Sequence, residues 1–248
     1  MASDRQATIR PATFHYLAGD SEPEHSHPEH QLVYADHGVL NVETNSSRWV
    51  VPPLRALWVP ADIPHRIVAK ADSEMATLYL SRSTTVRRPG VAVIYVSPLL
   101  RELIRYIHRD DSSGPPRRRL EAVILDQLEA AASAPPLRLP RLEDPRARAV
   151  AEALDRDPTD ERTLREFGRD IGAHERTLQR IFKAETGTTF GQWRTQLRLQ
   201  HGIVALTQGH SVTDAATRCG YHEPSAFIAA FRAAFGTTPG RYLRDHSG

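Results

Sequence analysis

The chain has 248 residues, of which 40% are hydrophobic, enough for one or two domains with apolar cores of their own. Residues 1–19 contain no continuous apolar run, so we expect no signal peptide, no membrane span and a cytoplasmic location. The single cysteine, Cys219, excludes an internal disulfide and is expected in a core. Residues 162–248 carry twelve basic and seven acidic residues, a net +5, whereas residues 1–161 carry twenty and twenty-three, a net −3. This asymmetry favours nucleic-acid contact by the C-terminal region.

Residues 1–96 are predicted to form a β-domain. Runs rich in β-branched and aromatic residues alternate there with turn-forming residues, and each run predicts a short strand. The runs are 31–34, 38–43, 49–51, 56–59, 66–68, 76–80 and 91–96. Many short strands at this spacing predict a small barrel or sandwich.

Helical patterning follows, in residues 97–134. Ser97 as N-cap and Pro98 at the first helical position predict a helix through Arg109, and a second helix is predicted over 118–132. A small β-domain does not need both of these helices to complete its own core. We therefore expect the two helices to supply a dimer interface. The proline-rich segment after them predicts an extended linker, residues 135–144.

Two stretches of the C-terminal region, residues 145–248, repeat each other with equivalent positions 49 residues apart. They are Phe182-Lys-Ala-Glu-Thr-Gly-Thr-Thr189 and Phe231-Arg-Ala-Ala-Phe-Gly-Thr-Thr238. Upstream of each, a small residue, Gly168 or Ala216, is followed four residues later by a glycine. The pattern predicts two helix-turn-helix units.

The two predicted units begin at capping signals, Thr163 and Ser211, and a long helix over 189–208 joins them. A rigid connection would hold the two recognition helices about one turn of DNA apart, roughly 34 Å. Gly202 lies inside that helix, so either a neighbour packs closely there or the helix is soft.

Many positions between residues 164 and 242 fit one family pattern. They are Glu175-Arg-Thr-Leu-Gln-Arg-Ile-Phe182, Gly187, Phe190, Trp193, Arg198-Leu199, Gly220-Tyr221, Ser225, Phe227, Phe231, Phe235-Gly236 and Pro239. In these residues the chain resembles the AraC/XylS family of transcriptional regulators. A weaker resemblance, to the cupin-like (RmlC-like) sensor domain of one branch of that family, rests on His25-Ser-His27, Gln31, Gly38, Trp58-Val-Pro60 and His65.

The resemblance implies an α+β protein of two domains. A cupin-like β-barrel or sandwich with following helices would sense a signal or dimerise, and an all-α domain with two helix-turn-helix units would bind a promoter. It implies a bacterial one-component regulator that is not an enzyme. The expected partners are double-stranded DNA, a small-molecule effector, a second copy of the chain and, for an activator, RNA polymerase; no membrane is expected.

The first recognition helix is predicted to bury one apolar side, formed by Leu178, Ile181 and Phe182. This leaves four polar side chains outward, at i, i+3, i+4 and i+7: Arg176, Gln179, Arg180 and Lys183. Arginine can bind guanine and glutamine can bind adenine in a bidentate manner, so the first three are predicted base contacts. The resemblance places base contacts at the same three positions. Lys183 is predicted to contact phosphate.

The second recognition helix departs from that pattern. Its outward positions are Pro224, Ser225, Ala229 and Arg232. Ala229 stands where some members of the resembled family carry a base-reading arginine. We therefore expect this unit to hold the DNA backbone more than it reads sequence, with Arg232 on phosphate and Ser225 or His222 making further base or phosphate contacts.

Histidines mark a candidate effector pocket in the β-domain. His25, His27, Gln31 and His65 stand where metal-binding cupins have two histidines, a glutamate and a third histidine. His25 and His27 project from one face, and the turn from Pro60 to Pro64 can return His65 to it. Trp58 is added as a pocket candidate. Three interpretations stay open: a divalent metal held by His25, His27 and His65, a polar effector pocket without metal, or histidines with a structural role.

Gln31 is a poor charge-compensating ligand, and two neighbours could replace it. Glu29 and His30 are the substitutes, although strand alternation turns His30 to the face opposite Gln31. Two alternative functions remain beside the regulator. One is a cupin-type metalloenzyme with an accessory helical domain, which Gln31 disfavours; the other is a dimeric protein-binding adaptor, which leaves the polar face of the first recognition helix unexplained.

Overall fold

The computed structural model describes residues 8–134 and 138–244. The chain divides into two compact units, an N-terminal unit of residues 1–44 and 51–136 and a C-terminal unit of residues 45–50 and 137–248. It therefore passes between the units three times, because the short segment 45–50 belongs to the C-terminal unit. The sequence predicted two continuous domains joined by one linker. It therefore did not predict that this short segment belongs to the C-terminal unit.

The N-terminal unit contains a five-stranded antiparallel sheet and a separate antiparallel pair. Its strands are β1 (Ile9–Tyr16), β2 (His30–His37), β3 (Leu40–Thr44), β5 (Arg55–Val59), β6 (His65–Ala69), β7 (Ser73–Leu80) and β8 (Ala92–Tyr95). The sheet has the order β1-β7-β2-β5-β8, and β3 pairs with β6. Six of the seven predicted strands are present in this unit, which confirms an N-terminal β-sheet region, whereas the seventh, predicted over 49–51, falls in a strand that lies mostly in the C-terminal unit.

Strand β1 was not predicted. It contains Pro11 and exposes half of its side chains, with only Ile9 and Tyr16 buried. It lies at the edge of the sheet, paired with β7 alone. An edge strand tolerates proline and polar residues because the backbone groups on its outer side form no hydrogen bonds to another strand. The alternation of apolar and polar residues that predicts a strand is therefore weak here.

Two helices cover one face of this sheet. Helix α1 spans Pro98–Ile107, with the Ser97 side chain accepting a hydrogen bond from the amide of Leu100 at 3.1 Å, and α2 spans Gly114–Ala130. Their apolar sides are buried in the core of the sheet, through Leu100, Ile104, Ile107, Ile124 and Leu128. The premise that the β-domain can do without these helices is therefore wrong, since they close its core.

The C-terminal unit is helical apart from one strand pair. Strand β4 (Ser47–Val51) pairs antiparallel with β9 (Arg138–Pro140), which lies inside the segment predicted as a linker. The first three residues of that linker lie outside the described residues. An extended, proline-flanked chain already has the backbone conformation of a strand, and pairing with β4 completes it.

Seven helices follow in the part of this unit that the structure describes. They are α3 (Pro145–Arg156), α4 (Leu164–Ile171), α5 (Glu175–Thr186), α6 (Phe190–Thr207), α7 (Val212–Arg218), α8 (Pro224–Phe235) and α9 (Pro239–Arg244). Helices α4 and α5 form the first helix-turn-helix, α7 and α8 the second, and α6 joins them, as predicted. No helix among the described residues is long and apolar enough to span a membrane.

Helix α6 contributes to the cores of both helix-turn-helix units. Trp193 and Leu197, near its start, pack in the first core. Near its end lies Gly202, where an added Cβ would stand 2.7 Å from the ring of Phe227 and 3.3 Å from the sulfur of Cys219. Close packing therefore explains Gly202. Burial of Cys219 raises the pKa of its thiol to about 12, which agrees with the predicted core role.

Candidate functional site

The first helix-turn-helix is fixed by its turn. A Cβ added at Gly168 on α4 would stand 2.3 Å from the carbonyl oxygen of Ala173, so only glycine lets the turn approach this closely. Gly172 ends α4 at φ 67°, in the left-handed conformation that glycine adopts freely. At the start of α4, Thr163 and Glu166 form the predicted capping box. These features set the direction in which α5 leaves the turn.

Helix α5 has the predicted division between a buried and an exposed side. Leu178 and Phe182 are fully buried and Ile181 nearly so. The four predicted DNA-contacting side chains are all exposed: Arg176, Gln179, Arg180 and Lys183. These four residues are named the α5 face.

Partners within the unit already order two members of the α5 face. The side-chain amide of Gln179 donates to a carboxylate oxygen of Glu175 at 3.0 Å, and the Lys183 ammonium donates to the carbonyl of Gly187 at 2.9 Å. Arg176 and Arg180 have no ion pair or hydrogen bond to any described residue. Two guanidinium groups are thus available to an external acceptor, which suits contact with DNA.

Helix α8 presents a different surface. Its buried side is aromatic, with Phe227, Phe231 and Phe235 in the core. The exposed side, named the α8 face, consists of Ser225, Ala229 and Arg232. Its polar groups are the guanidinium cation of Arg232 and the hydroxyl of Ser225. His222, in the turn before α8, is exposed but forms a hydrogen bond with Glu161, so a contact to DNA would have to replace that partner.

The predicted histidine cluster is present in the N-terminal unit. His25 and His65 face each other as an antiparallel bridge, with each backbone amide donating to the other residue's carbonyl at 2.9 Å. Directly paired residues project from the same face, so their rings lie only 4.6 Å apart. The ring of His27 lies 5.2 Å from that of His65. One ligand atom from each of the three histidines lies within 4.8 Å of those of the other two.

Backbone carbonyls fix the tautomer of all three rings. The Nδ1 atoms of His25, His27 and His65 lie 2.9, 2.9 and 2.8 Å from the carbonyl oxygens of Pro23, Glu29 and Ile63. A carbonyl only accepts, so each Nδ1 carries a hydrogen and each neutral ring keeps its lone pair on Nε2. Burial lowers the pKa of His65, which favours its neutral form.

Gln31 joins the cluster, and the other pocket candidates do not. The Oε1 atom of Gln31 lies 3.1 Å from Nε2 of His27. His30 turns away and accepts the amide of Ala61 on Nδ1 at 3.0 Å, while Glu29 pairs with Arg10. Neither replaces Gln31.

Trp58 is not part of the pocket. Its register partner Leu32 shares its face of the sheet, whereas Gln31 pairs with Val59 and points to the other face. Trp58 is 1% exposed and lies in the core beneath α1 and α2. Trp58 was predicted in the pocket from the family resemblance alone. Alternation along β5 turns its side chain to the face opposite the histidine cluster, so this placement was wrong.

Glu22 and Tyr16 lie beside the histidine cluster and were not predicted to do so. Glu22 lies where the chain runs antiparallel along β6, its amide donating to the carbonyl of Ile67 at 3.0 Å. One of its carboxylate oxygens stands 3.7 Å from Nε2 of His25, and the other accepts a hydrogen bond from the hydroxyl of Tyr16. Burial, then that hydrogen bond, raises the pKa of Tyr16, which keeps the hydroxyl as a donor. The sequence signal for this contact is weak: Glu22 lies three residues before His25.

A second missed feature anchors the segment 45–50 in the C-terminal unit. Arg48 of β4 donates to both carboxylate oxygens of Asp155 on α3, at 2.8 and 3.1 Å, and to the amide oxygen of Gln200 on α6 at 3.3 Å. His201 contacts the same carboxylate at 3.1 Å. A bidentate, partly buried pair of this kind holds a strand firmly to helices.

Comparison with known proteins agrees with this architecture. The helix-turn-helix domain family matches residues 168–245, and the AraC-like ligand binding domain family matches residues 12–128. The HTH-type transcriptional regulator NimR of Escherichia coli is 32% identical over 226 residues, which is 90% of this chain and 82% of NimR. RipA of Corynebacterium glutamicum is 36% identical over 114 residues, 46% of this chain and 33% of RipA.

Among solved structures, ToxT from Vibrio cholerae is similar over 97% of this chain and 100% of its own, with 10% identity and a TM-score of 0.42. The family matches lie on the two regions whose geometry is described above, and NimR matches across both. The chain belongs to the AraC family of transcriptional regulators, with an AraC-like ligand-binding domain preceding its helix-turn-helix domain.

Proposed function

We propose that this regulator recognises its promoter chiefly through the α5 face. The observation that carries this proposal is the pair of unpartnered, exposed guanidinium groups of Arg176 and Arg180, one turn of helix apart above a rigid core. Arginine matches guanine in the major groove, and Gln179 between them matches adenine. The α8 face, with Arg232 and Ser225, contributes mainly backbone contacts.

The connection between the units supports binding at two successive major grooves. Helix α6 is a single helix with 18 residues, begun by a capping box between Thr189 and Gln192. Its side chains are buried in both helix-turn-helix cores, so it is braced along its length. A braced spacer fixes the separation of α5 and α8, as reading two grooves about one turn apart, roughly 34 Å, requires.

The regulator acts on DNA, so we place it in the cytoplasm, with RNA polymerase as a further partner at promoters that it activates. Its relatives are transcriptional regulators, and we propose no catalytic activity. The effector pocket is assigned to the cluster of His25, His27, Gln31 and His65. It combines ordered polar groups with partial exposure, which suits a small polar ligand bound directly or through a metal ion.

We also propose a homodimer, formed through an apolar stripe on α1. The buried side of α1 belongs to the core, but Leu99 and Tyr106 on its outer side are 54% and 60% exposed. Sedimentation of the full chain should show a dimer that Leu99→Glu together with Tyr106→Glu converts to a monomer. Leu17→Glu, at another exposed leucine, serves as the control. An unchanged dimer in the double variant would place the interface elsewhere.

The DNA-binding proposal is tested with the DNA upstream of the regulator's own coding sequence and a shuffled duplex of equal composition. The full chain should prefer the upstream DNA, and the Arg176→Ala, Gln179→Ala, Arg180→Ala triple variant should lose the preference. Arg119→Ala, at an exposed arginine of α2, should leave it unchanged. Equal binding of both duplexes by the wild type on every upstream fragment would contradict the proposal.

A further inference from the structure

Three histidine side chains converge in the N-terminal unit, and each ring leaves an Nε2 acceptor on the side away from its backbone hydrogen bond. The Nδ1 hydrogens of His25, His27 and His65 are all committed to backbone carbonyls, so the Nε2 atoms are acceptors. His65 is 0% exposed, and its Nε2 has no hydrogen-bond partner among the described residues. A buried acceptor without a partner destabilises the fold unless a donor or a cation reaches it. The buried Nε2 of His65 therefore requires a positively charged or hydrogen-donating guest.

The side chain of Gln31 adds an oxygen to the cluster. Its Oε1 atom lies 3.1 Å from Nε2 of His27, within hydrogen-bond distance. Gln31 is 1% exposed and cannot turn its amide toward bulk water. Ligands of one cation lie about 3 Å from one another when each bond is about 2.1 Å long, so this separation also fits two ligands of one ion.

Glu22 supplies the negative charge that the histidines and the glutamine lack. Its carboxylate oxygen is 3.7 Å from Nε2 of His25, and the hydroxyl of Tyr16 holds the second oxygen. Hydrogen bonds of this kind orient a ligating carboxylate. The charge-compensating group thus comes from the segment along β6 and not from position 31 of β2.

We propose that His25, His27 and His65, with Gln31 and Glu22, bind a divalent transition-metal ion of the zinc, nickel, cobalt or ferrous type. Imidazole nitrogens select such ions over magnesium and calcium, which prefer oxygen ligands. Even at a mutual separation of 4.8 Å, three nitrogens reach bonds of about 2.1 Å by moving inward less than about 1 Å each. The inference does not depend on promoter binding, which a separate assay measures.

Cobalt(II) is the probe for this site, added to the untagged full-length protein after treatment with a chelator. One equivalent should bind and produce visible d–d absorption, zinc(II) should displace it, and magnesium(II) or calcium(II) should not. Bound zinc(II) should also raise the melting temperature, because the ion binds only the folded site. A wild type that binds no cobalt(II) would overturn the proposal.

Substitutions assign the ligands. His25→Ala and His27→Ala, at half-buried positions that tolerate truncation, should each weaken cobalt(II) binding at least about 100-fold, and Glu22→Gln about 10-fold or more. Gln31→Glu should tighten binding, a gain that misfolding cannot produce. His37→Ala, at an exposed histidine outside the cluster, should change nothing. Unchanged binding in His25→Ala and His27→Ala, or an equal loss in His37→Ala, would refute the site.

Two further outcomes concern single members of the ligand set. Unchanged affinity in Glu22→Gln would exclude the carboxylate, and unchanged or weaker affinity in Gln31→Glu would exclude the amide. Promoter binding by the same variants shows that they remain folded. Loss of cobalt(II) binding with intact DNA binding supports the metal site, whereas a wild type that binds cobalt(II) but no promoter DNA contradicts only the proposed function.

Discussion

The two helix-turn-helix units share a frame but present different surfaces to DNA. Both second helices pack three apolar residues inward and end at a left-handed glycine, Gly187 or Gly236. The α5 face carries three cations and a glutamine, whereas the α8 face carries one cation. Packing fixes the inward positions of both helices, and the outward positions are free to differ. Similar architecture therefore does not imply a similar share of sequence recognition.

The turns differ as well. At Gly168 there is no room for a side-chain carbon, while its counterpart Ala216 is a fully buried residue that has one. Both positions accept the same backbone hydrogen bond across the turn, from Ala173 at 2.8 Å and from Tyr221 at 2.9 Å. The first unit is thus the tighter of the two, and it holds the residues proposed to read bases.

The largest expected effect follows from the tight turn. Gly168→Ala should destabilise folding toward the upper end of about 1–3 kcal/mol, because the new carbon meets backbone that cannot move aside. Urea unfolding of the full chain measures this. Gly191→Ala is the matched control, since a Cβ there meets nothing within 4 Å, and it should be neutral or slightly stabilising. Equal stabilities would show that the turn relaxes.

Arg180→Ala should weaken promoter binding by about 1–3 kcal/mol and relax the preference at one base position, because one bidentate contact is lost. Titration of the promoter and of variants changed at single bases measures both quantities. A loss of the same size on promoter and shuffled DNA would mean that Arg180 contacts only the backbone.

Arg232→Ala should have the smallest effect. We expect about 1 kcal/mol on promoter and shuffled DNA alike, with the salt dependence reduced by about one released counterion, because a phosphate contact carries no base information. Affinities at several salt concentrations provide the measurement. A loss confined to the promoter would make the α8 face a reader of sequence.

The sequence predicted most of the fold because its strongest signals are local. Capping at Thr163, the glycines of the turns and the apolar spacing of α5 each report on neighbouring residues, and the structure bears them out. Strand β9 and the assignment of the segment 45–50 to the C-terminal unit escaped prediction because the partners involved are distant in sequence. Pairing of β4 with β9 joins residues 47 and 140, which no local pattern encodes.

Predictions about the candidate sites also succeeded where they rest on short-range rules and failed where they depend on distant contacts. The convergence of His25, His27 and His65 followed from strand alternation and one turn, which are short-range rules. Trp58 was misplaced because alternation on β5 was not followed, and Glu22 was missed because its approach to His25 depends on the pairing of an irregular segment with β6. Whether a side chain has a partner, as with Arg176 and Arg180, is visible only in three dimensions.

Selection of binding sites from random duplexes by the full-length protein tests the asymmetry between the two units most directly. Base preferences should concentrate in one half of the selected site, and the other half, about 10 base pairs away, should be nearly unconstrained. The triple variant at Arg176, Gln179 and Arg180 should erase the preferences of the first half. Equally strong preferences in both halves, or preferences that survive the triple variant, would contradict the account.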